Sequence, residues 1–548
     1  MSAFSPPAFV RRSRLLIAVG CAIALTSACS GSGSSSIEKS VGDSDLVSQL
    51  GTPTGQVDTI KWNLDSEPDS LDPDNAATYS SGTVVRNLCD SLLTLDADYN
   101  IKPNLATYKV VSPTKVVFTI RDGVKFWDGK PLTAADVAYS LRRGAEAKYI
   151  SAFIFTNVKS IDVTGTNKVT VTFTQPDELF ISEMASSAIM EKAYTEKVGN
   201  KLGTPSGGLM CSGPFKLTKW TSGSNLVITR NGHYWNKDRL PYAKTIDFSF
   251  ITDATTLATA LDTGEIDGAY QISASSVPTL QKSSAGRIVF GSSMEGVSLY
   301  QANPTGEFAN AKVRAALQVG IDREALATAV FHGAASPLYT GLTPATWPND
   351  EKAAYQTAYD QFAKSRSYDL EKAKKLVAES GYDGGDIVLA YAAGDNTAAL
   401  TAQLVQQQAK AIGLRITLKA MQPLVFDQAG YDAGKRKGLD IMLSSNFNAA
   451  HDPIEPIGFT YLPGQVYNYT DFDNPTATKD ISRASATFDD AKRAKLIIDA
   501  QELYEATNSV IPLVSTYTTT FLNDSLTGAV TSFAYWSMPS MAYIGAAS

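Results

Sequence analysis

Arg121-Asp122-Gly123-Val124-Lys125-Phe126-Trp127-Asp128-Gly129-Lys130-Pro131-Leu132-Thr133-Ala134-Ala135-Asp136-Val137 packs several structural signals into one short stretch. An apolar run, Val116 to Ile120, precedes it, and a second apolar run, Val124 to Phe126, lies inside it. Asp-Gly between two apolar runs predicts a hairpin, because the turn needs a residue that accepts positive φ. The second pair, Asp128-Gly129, turns the chain toward a helix. Thr133 and Asp136 stand at capping-box spacing, where hydroxyl and acid each reach an unpaired N–H of the first turn. Val137 and Leu141 then share one helix face.

The same alternation extends in both directions. Asp58 to Leu64 (DTIKWNL) has strand periodicity, and Asp65 to Asp74 (DSEPDSLDPD) is a turn-rich loop. Val84, Val85, Leu88 and Leu92 follow in helical register. Two strands are predicted over 158–174, a helix over 183–200, a Gly/Ser/Pro-rich connection over 201–214 and further strands over 215–230 and 245–251. In the second half Phe308, Val313, Leu317, Ile321 and Leu326 predict helix across 308–331. Residues 368–381 read as a helix opened by Asp369 and closed by Gly381. A helix over 401–413 leads to a strand over 414–418, and a helix over 481–508 to a strand over 510–514. Helices alternating with strands throughout indicate an α/β protein.

At roughly 100–200 residues per domain, 548 residues predict two to four structural units. A formal net charge of −7 argues against nucleic acid as a partner, since phosphates need clustered Lys and Arg. The N-terminus carries Arg11, Arg12 and Arg14 ahead of the apolar run LLIAVGCAIAL, Leu15 to Leu25. That run is too short for a spanning helix of about 20 residues. It reads as a signal peptide over 1–28, exported by the Sec route because Arg14 replaces the apolar residue a twin-arginine signal requires. Leu25-Thr26-Ser27-Ala28-Cys29 resembles a bacterial lipobox, with Thr26 where Leu is usual. This makes Cys29 the expected site of lipid attachment (palmitate) and 29–56 a lipidated flexible tether, Ser- and Gly-rich at its start. Cleavage near Ala28 without lipidation is the alternative.

Four cysteines occur. Cys21 leaves with the signal and Cys29 is spoken for, so Cys89 and Cys211 remain. In an oxidising compartment an even pair is a disulfide candidate, the alternative being two buried thiols. No cysteine or histidine spacing suggests a metal site, and no cofactor is expected.

The opening stretch resembles the signature of the family 5 extracellular solute-binding proteins, the dipeptide- and oligopeptide-binding group. Four more segments agree in the family's order: Ser212-Gly213-Pro214-Phe215-Lys216, Leu261-Asp262-Thr263-Gly264-Glu265-Ile266-Asp267, Val313 to Glu324 (VRAALQVGIDRE) and Tyr368 to Tyr382 (YDLEKAKKLVAESGY). The resemblance covers about 57–520. It implies a two-lobed fold of the periplasmic-binding-protein type (class II), with an extra α/β subdomain in the first lobe. Lobe I would comprise 57–96, 205–297 and 515–548, its subdomain 97–204, and lobe II 298–514. It further implies a monomeric, non-enzymatic receptor on the extracytoplasmic face of the cell membrane. Such a receptor closes two hinged lobes over a peptide or related small solute and delivers it to the permease subunits of an ABC importer. Asp322 and Arg323 are expected in an ion-pair network near the hinge.

Family members often pair the peptide amine with an Asp in a segment matched here by Ser445 to Pro453 (SNFNAAHDP). Phe447 falls at the family's aromatic and Ala450 at its acid. The expected ligand contacts are therefore Asn446, Phe447 and Asn448, with His451 for an anionic group or metal and Asp452 as the substitute partner of an ammonium. The Ala450 position weakens the expectation of a free N-terminal amine. Neither a G-x-S-x-G elbow, an H-E-x-x-H pair nor a phosphate-binding G-x-x-x-x-G-K-[ST] loop is present, and the three histidines, His233, His332 and His451, lie far apart. Two rivals remain: a lipoprotein of the same fold serving envelope assembly or regulation, and an exported hydrolase acting through a carboxylate pair.

Overall fold

The computed structural model describes residues 41–76 and 78–547. The signal segment and the lipidation candidate Cys29 lie outside the described residues. Residues 47–54, expected to lie in a flexible tether over 29–56, are hydrogen-bonded to the rest of the chain. Val47 N–H donates to Phe290 O, Leu50 N–H to Ala529 O and Thr54 N–H to Ala546 O, each at 2.9 Å. The polar composition of this segment hides a backbone that completes the edge of the C-terminal segment.

Two large sheets organise the chain. The first has seven strands in the order Gly286–Gly291, Thr518–Asn523, Gly268–Ala269, Val57–Asn63, Ala243–Ser249, Asn225–Arg230 and Phe215–Thr221. Val57–Asn63 runs parallel to Ala243–Ser249, and its Ile60 and Trp62 are fully buried. The second has six strands, ordered Ala335–Pro337, Val510–Thr516, Glu295–Gln301, Ile441–Phe447, Ile387–Ala392 and Ile416–Met421. A separate four-stranded antiparallel sheet, Ala106–Ser112, Lys115–Ile120, Lys168–Phe173 and Val158–Gly165, lies within the sequence between the first two strands of the large sheet. Its core continues that of the seven-stranded sheet, whereas the six-stranded sheet has its own core around Leu299, Val313, Leu317 and Ile511.

The opening stretch forms its helix, Ala134–Gly144, with the reciprocal cap: Asp136 Oδ2 accepts the Thr133 N–H at 3.0 Å, and Thr133 Oγ1 accepts the Asp136 N–H. The hairpin expected at Asp122-Gly123 does not form. Both edges of Lys115–Ile120 are taken, by Ala106–Ser112 and by Lys168–Phe173. The loop instead closes on itself around Asp128-Gly129, where Phe126 N–H donates to Lys130 O at 2.9 Å and Gly129 adopts φ 92°. Two predicted long helices are each broken by a capping acid. Asp322 separates Ala311–Gly320 from Arg323–Ala329, and Asp489 opens Asp490–Glu505 after Pro475–Ser485 has ended. Arg323 joins no ion pair among the described residues. Its buried guanidinium donates to the carbonyls of Leu338, Pro512 and Gln318, and burial lowers its pKa to about 10.

Cys89 and Cys211 form a disulfide across a separation of 122 residues. It joins the end of the buried helix Tyr79–Leu88 to the entry of Phe215–Thr221. Next to it Gly213 lies so close to the helix that a Cβ there would stand 2.4 Å from Leu88 O, which explains the glycine in that motif. Asp90 anchors the same corner, accepting from Ser212, Tyr234 and Trp235. Closing so long a loop restricts the unfolded chain. The Cys89→Ala, Cys211→Ala double variant is expected to lose about 3–5 kcal/mol of unfolding free energy, measured by denaturant titration against the oxidised protein.

Candidate functional site

The chain crosses between the two large sheets twice, at 291–295 and at 516–518. A cavity of about 380 Å³ opens at these crossings. Gln271, Ile272 and Thr519 wall it from the seven-stranded side, and Ala392, Ser444 and Ser445 from the six-stranded side. Ile387–Ala392 runs parallel to both Ile416–Met421 and Ile441–Phe447, so the carboxyl ends of three strands lie at one edge, and Ala392 and Leu443 to Ser445 reach the cavity from it. In open α/β sheets this edge is where helix N-termini gather and ligands bind. Helix Asn396–Ala411 starts here, its Asp395 Oδ1 accepting the Ala398 N–H at 2.9 Å. Helix Pro423–Tyr431 brings Phe426 and Asp427 to the same rim.

The wall on the seven-stranded side is rigid. Tyr270 stacks on Tyr535 with centroids 3.8 Å apart, and Gln271 Nε2 donates to Tyr535 Oη at 3.2 Å. Gln271 itself sits at φ 54°, a left-handed conformation that costs a non-glycine residue about 1 kcal/mol or more and is held by such surroundings.

Glu295 is the most enclosed acid of the cavity. It begins the strand that follows the first crossing, and its carboxylate accepts from Tyr79 Oη at 3.1 Å and from Ser445 Oγ. Burial pushes its pKa up, and these two hydroxyls partly counter that by hydrogen bonding to the charged form. Asp395 and Asp427 stand exposed at the rim. No Lys, Arg or His lines the cavity.

The residues singled out in 446–452 lie beside the cavity and do not line it; the strand's cavity wall is Leu443, Ser444 and Ser445. Asn446 is exposed and donates to Tyr300 Oη at 2.9 Å. Phe447 packs into an aromatic cluster with Tyr79, Phe533 and Trp536, at centroid distances of 5.0, 5.5 and 5.6 Å. Asn448 is half-buried, its N–H donating to Met294 O. Ala450 occupies no ligand position: its N–H donates to Glu455 Oε2 at 2.7 Å. His451 stacks on Tyr99, centroids 4.9 Å apart and planes within 8°. Loss of hydration brings its pKa down to about 4, against the opposing effect of the Asp452 charge.

Asp452 does not line the cavity. It is 2% exposed, its two oxygens accept from Arg493 Nη2 at 2.6 and 2.7 Å, and its Oδ1 also caps the Ile454 N–H. Arg493 meets Glu178 as well, at 3.0 Å, so this buried pair ties the segment with the four-stranded sheet to the segment with the six-stranded one. The ammonium role expected of Asp452 therefore finds no support in its position. Glu295, Asp395 and Asp427 were not legible as cavity residues from sequence. The only signal was Asp395 as an N-cap directly after a parallel strand.

A family model of bacterial extracellular solute-binding proteins (family 5, middle) matches residues 100–469, well over half of the chain. The chain belongs to this family. It is a binding receptor and not an enzyme. Among curated relatives, the glutathione-binding protein GsiB of Salmonella typhi is 28% identical over 86% of this chain and 90% of its own length. Among solved structures, the ABC transporter substrate-binding protein CtaP of Listeria monocytogenes superposes with a TM-score of 0.79 at 21% identity, covering 90% of this chain and all of that one. The oligopeptide-binding protein AppA of Bacillus subtilis, solved with a nonapeptide, gives 0.72 at 21% identity, with 90% of this chain and all of that one covered. The fold is the two-lobed α/β fold of these binding proteins.

Two outcomes follow from the cavity's edge. Between pH 6.5 and 4 the unfolded chain binds a proton at residue 451 that the folded chain refuses, so stability falls as pH drops through that window, by at most about 3 kcal/mol. His451→Phe keeps the stack on Tyr99 and should flatten this part of the pH–stability profile in thermal melts. Asp452→Asn leaves a buried guanidinium short of charge and should lower stability by about 3–5 kcal/mol. Solute affinity, measured by calorimetry where the variant is still folded, should change less than about threefold. A selective loss of affinity would return Asp452 to the binding site.

Proposed function

We propose that this chain is the extracytoplasmic receptor of an ABC importer, capturing a peptide or related small solute between its two lobes and delivering it to membrane permease subunits. The observation that carries this reading is the cavity itself, walled from both large sheets at the two places where the chain crosses between them. Two short crossings form a hinge, and closure of the sheets about it encloses a solute on both sides. GsiB is named for glutathione and AppA was solved with a nonapeptide, so peptides are the solute class that the relatives favour. A volume of about 380 Å³ sits at the low end of small-molecule sites and suits a solute of a few residues better than a long peptide.

No helix among the described residues is long and apolar enough to cross a membrane. In this reading Cys29 carries the lipid that holds the receptor at the membrane, the following Ser- and Gly-rich residues are its tether, and the receptor works as a monomer. In this reading 57–96, 205–297 and 515–548 form one lobe with 97–204 as its subdomain, and 298–514 form the other; crossings within a few residues of 297 and 515 support these bounds.

Native mass spectrometry of the protein purified from its host tests the assignment. The expected spectrum shows a bound species of peptide or small-solute mass that is lost on partial unfolding. Recovery of a phospholipid or a mannoside would overturn the peptide assignment.

A further inference from the structure

The charge around the cavity is one-sided. Glu295 lies at its enclosed end, Asp395 and Asp427 at its mouth, and no cationic side chain lines it. Carboxylates kept out of water call for a counter-charge. Glu295 meets neutral hydroxyls and no cation among the described residues: Tyr79 Oη from one large sheet's side, Ser445 Oγ from the other's, and the Thr516 hydroxyl beside them. A second observation points the same way. Thr401 is fully buried, lines the same cavity on helix Asn396–Ala411, and its Oγ1 has no hydrogen-bond partner among the described residues. A buried hydroxyl without a partner is costly and marks a place where a ligand's polar group completes the bonding.

We propose that the solute is cationic: its ammonium group is held by Glu295 between Tyr79 and Ser445, and its polar body reaches Thr401. Asp395 and Asp427 supply the negative field at the entrance that draws such a solute in. The anchor has thus moved from the 445–453 segment, where Asp452 is committed to Arg493, to the first residue of the strand that leaves the hinge. Because Glu295 binds groups from both sides of the cleft, an ammonium seated on it bears on closure as well as on affinity. The inference rests on the solute-receptor reading and names the chemical class of its solute.

The test uses the mature protein, stripped of bound solute by partial unfolding and refolded, and calorimetric titration with four probes: trialanine, N-acetyl-trialanine, 1,4-diaminobutane and glutathione. The expected result is binding of one or both of the first and third, with N-acetylation weakening trialanine about 10- to 100-fold, the range for losing a charge-assisted hydrogen bond. Glu295→Gln should weaken the amine probe by a similar factor and leave N-acetyl-trialanine within about threefold. Asp395→Asn retains a capping side chain for its helix and, with Asp427→Asn, should slow association and reduce its dependence on ionic strength. These two exposed positions keep the test open should Glu295→Gln fail to fold.

Diaminobutane binding with the same Glu295 dependence, but no trialanine binding, would keep the cationic site and remove the peptide reading. Equal affinity for the acetylated and free peptides, glutathione binding that Glu295→Gln leaves unchanged, or failure of both amines to bind would overturn the cationic site. The receptor reading would then stand or fall on the solute recovered from the host.

Discussion

The buried guanidinium of Arg493 is met by two carboxylates, and its placement governs much of this molecule. Asp452 takes it at 2.6 and 2.7 Å and Glu178 at 3.0 Å. Desolvating three charged groups is tolerable only when their geometry is close and their remaining bonds are made. Asp452 meets that condition by also capping the helix that begins at Ile454. The pair joins the small-sheet segment to the half built on the six-stranded sheet, next to His451 stacked on Tyr99, and residues 448–455 do not line the cavity. Once Asp452 is committed there, the acids available to a solute are those arriving on other elements.

Those elements converge because of topology. Three strands of the six-stranded sheet end at one edge, two helices begin there, and both crossings between the large sheets pass beside it. The aromatic cluster of Tyr79, Phe447, Phe533 and Trp536 spans the same junction, with Phe447 contributed by the six-stranded sheet and the rest by segments packed with the seven-stranded one. Tyr79 therefore has two tasks. Its ring supports the cluster and its hydroxyl donates to Glu295. Cavity, crossings and cluster thus share residues: Tyr79 links the cluster to Glu295, and Glu295 lies at the end of the first crossing.

Much of the architecture was legible because it rests on local rules. The cap at Thr133 and Asp136, the helix opened by Asp369 and closed by Gly381 at φ 74°, and the alternation in Val57–Asn63 depend on residues near one another in sequence. Errors arose where a cap inside the apolar run, or a distant segment, competed. Apolar spacing continued through Ile321 and Ala486, yet acids one and three residues on, Asp322 and Asp489, offered their oxygens to new helix starts. Asp122-Gly123 had a strand before it, but both edges of that strand went to partners from elsewhere in the chain.

By itself the sequence determined the family, the alternating helices and strands, the absence of catalytic motifs and the candidate pairing of Cys89 with Cys211, because composition, turn chemistry and motif order are properties of short segments. Only the tertiary structure decided which acids line the cavity. Glu295 and Asp452 are both carboxylates in plausible places, and nothing in their neighbours along the chain separates them. What separates them is a cation more than forty positions beyond Asp452, Arg493, and a hydroxyl more than two hundred positions before Glu295, Tyr79. The environment of a charge is set by every element packed against it, and that environment exists only in the folded chain.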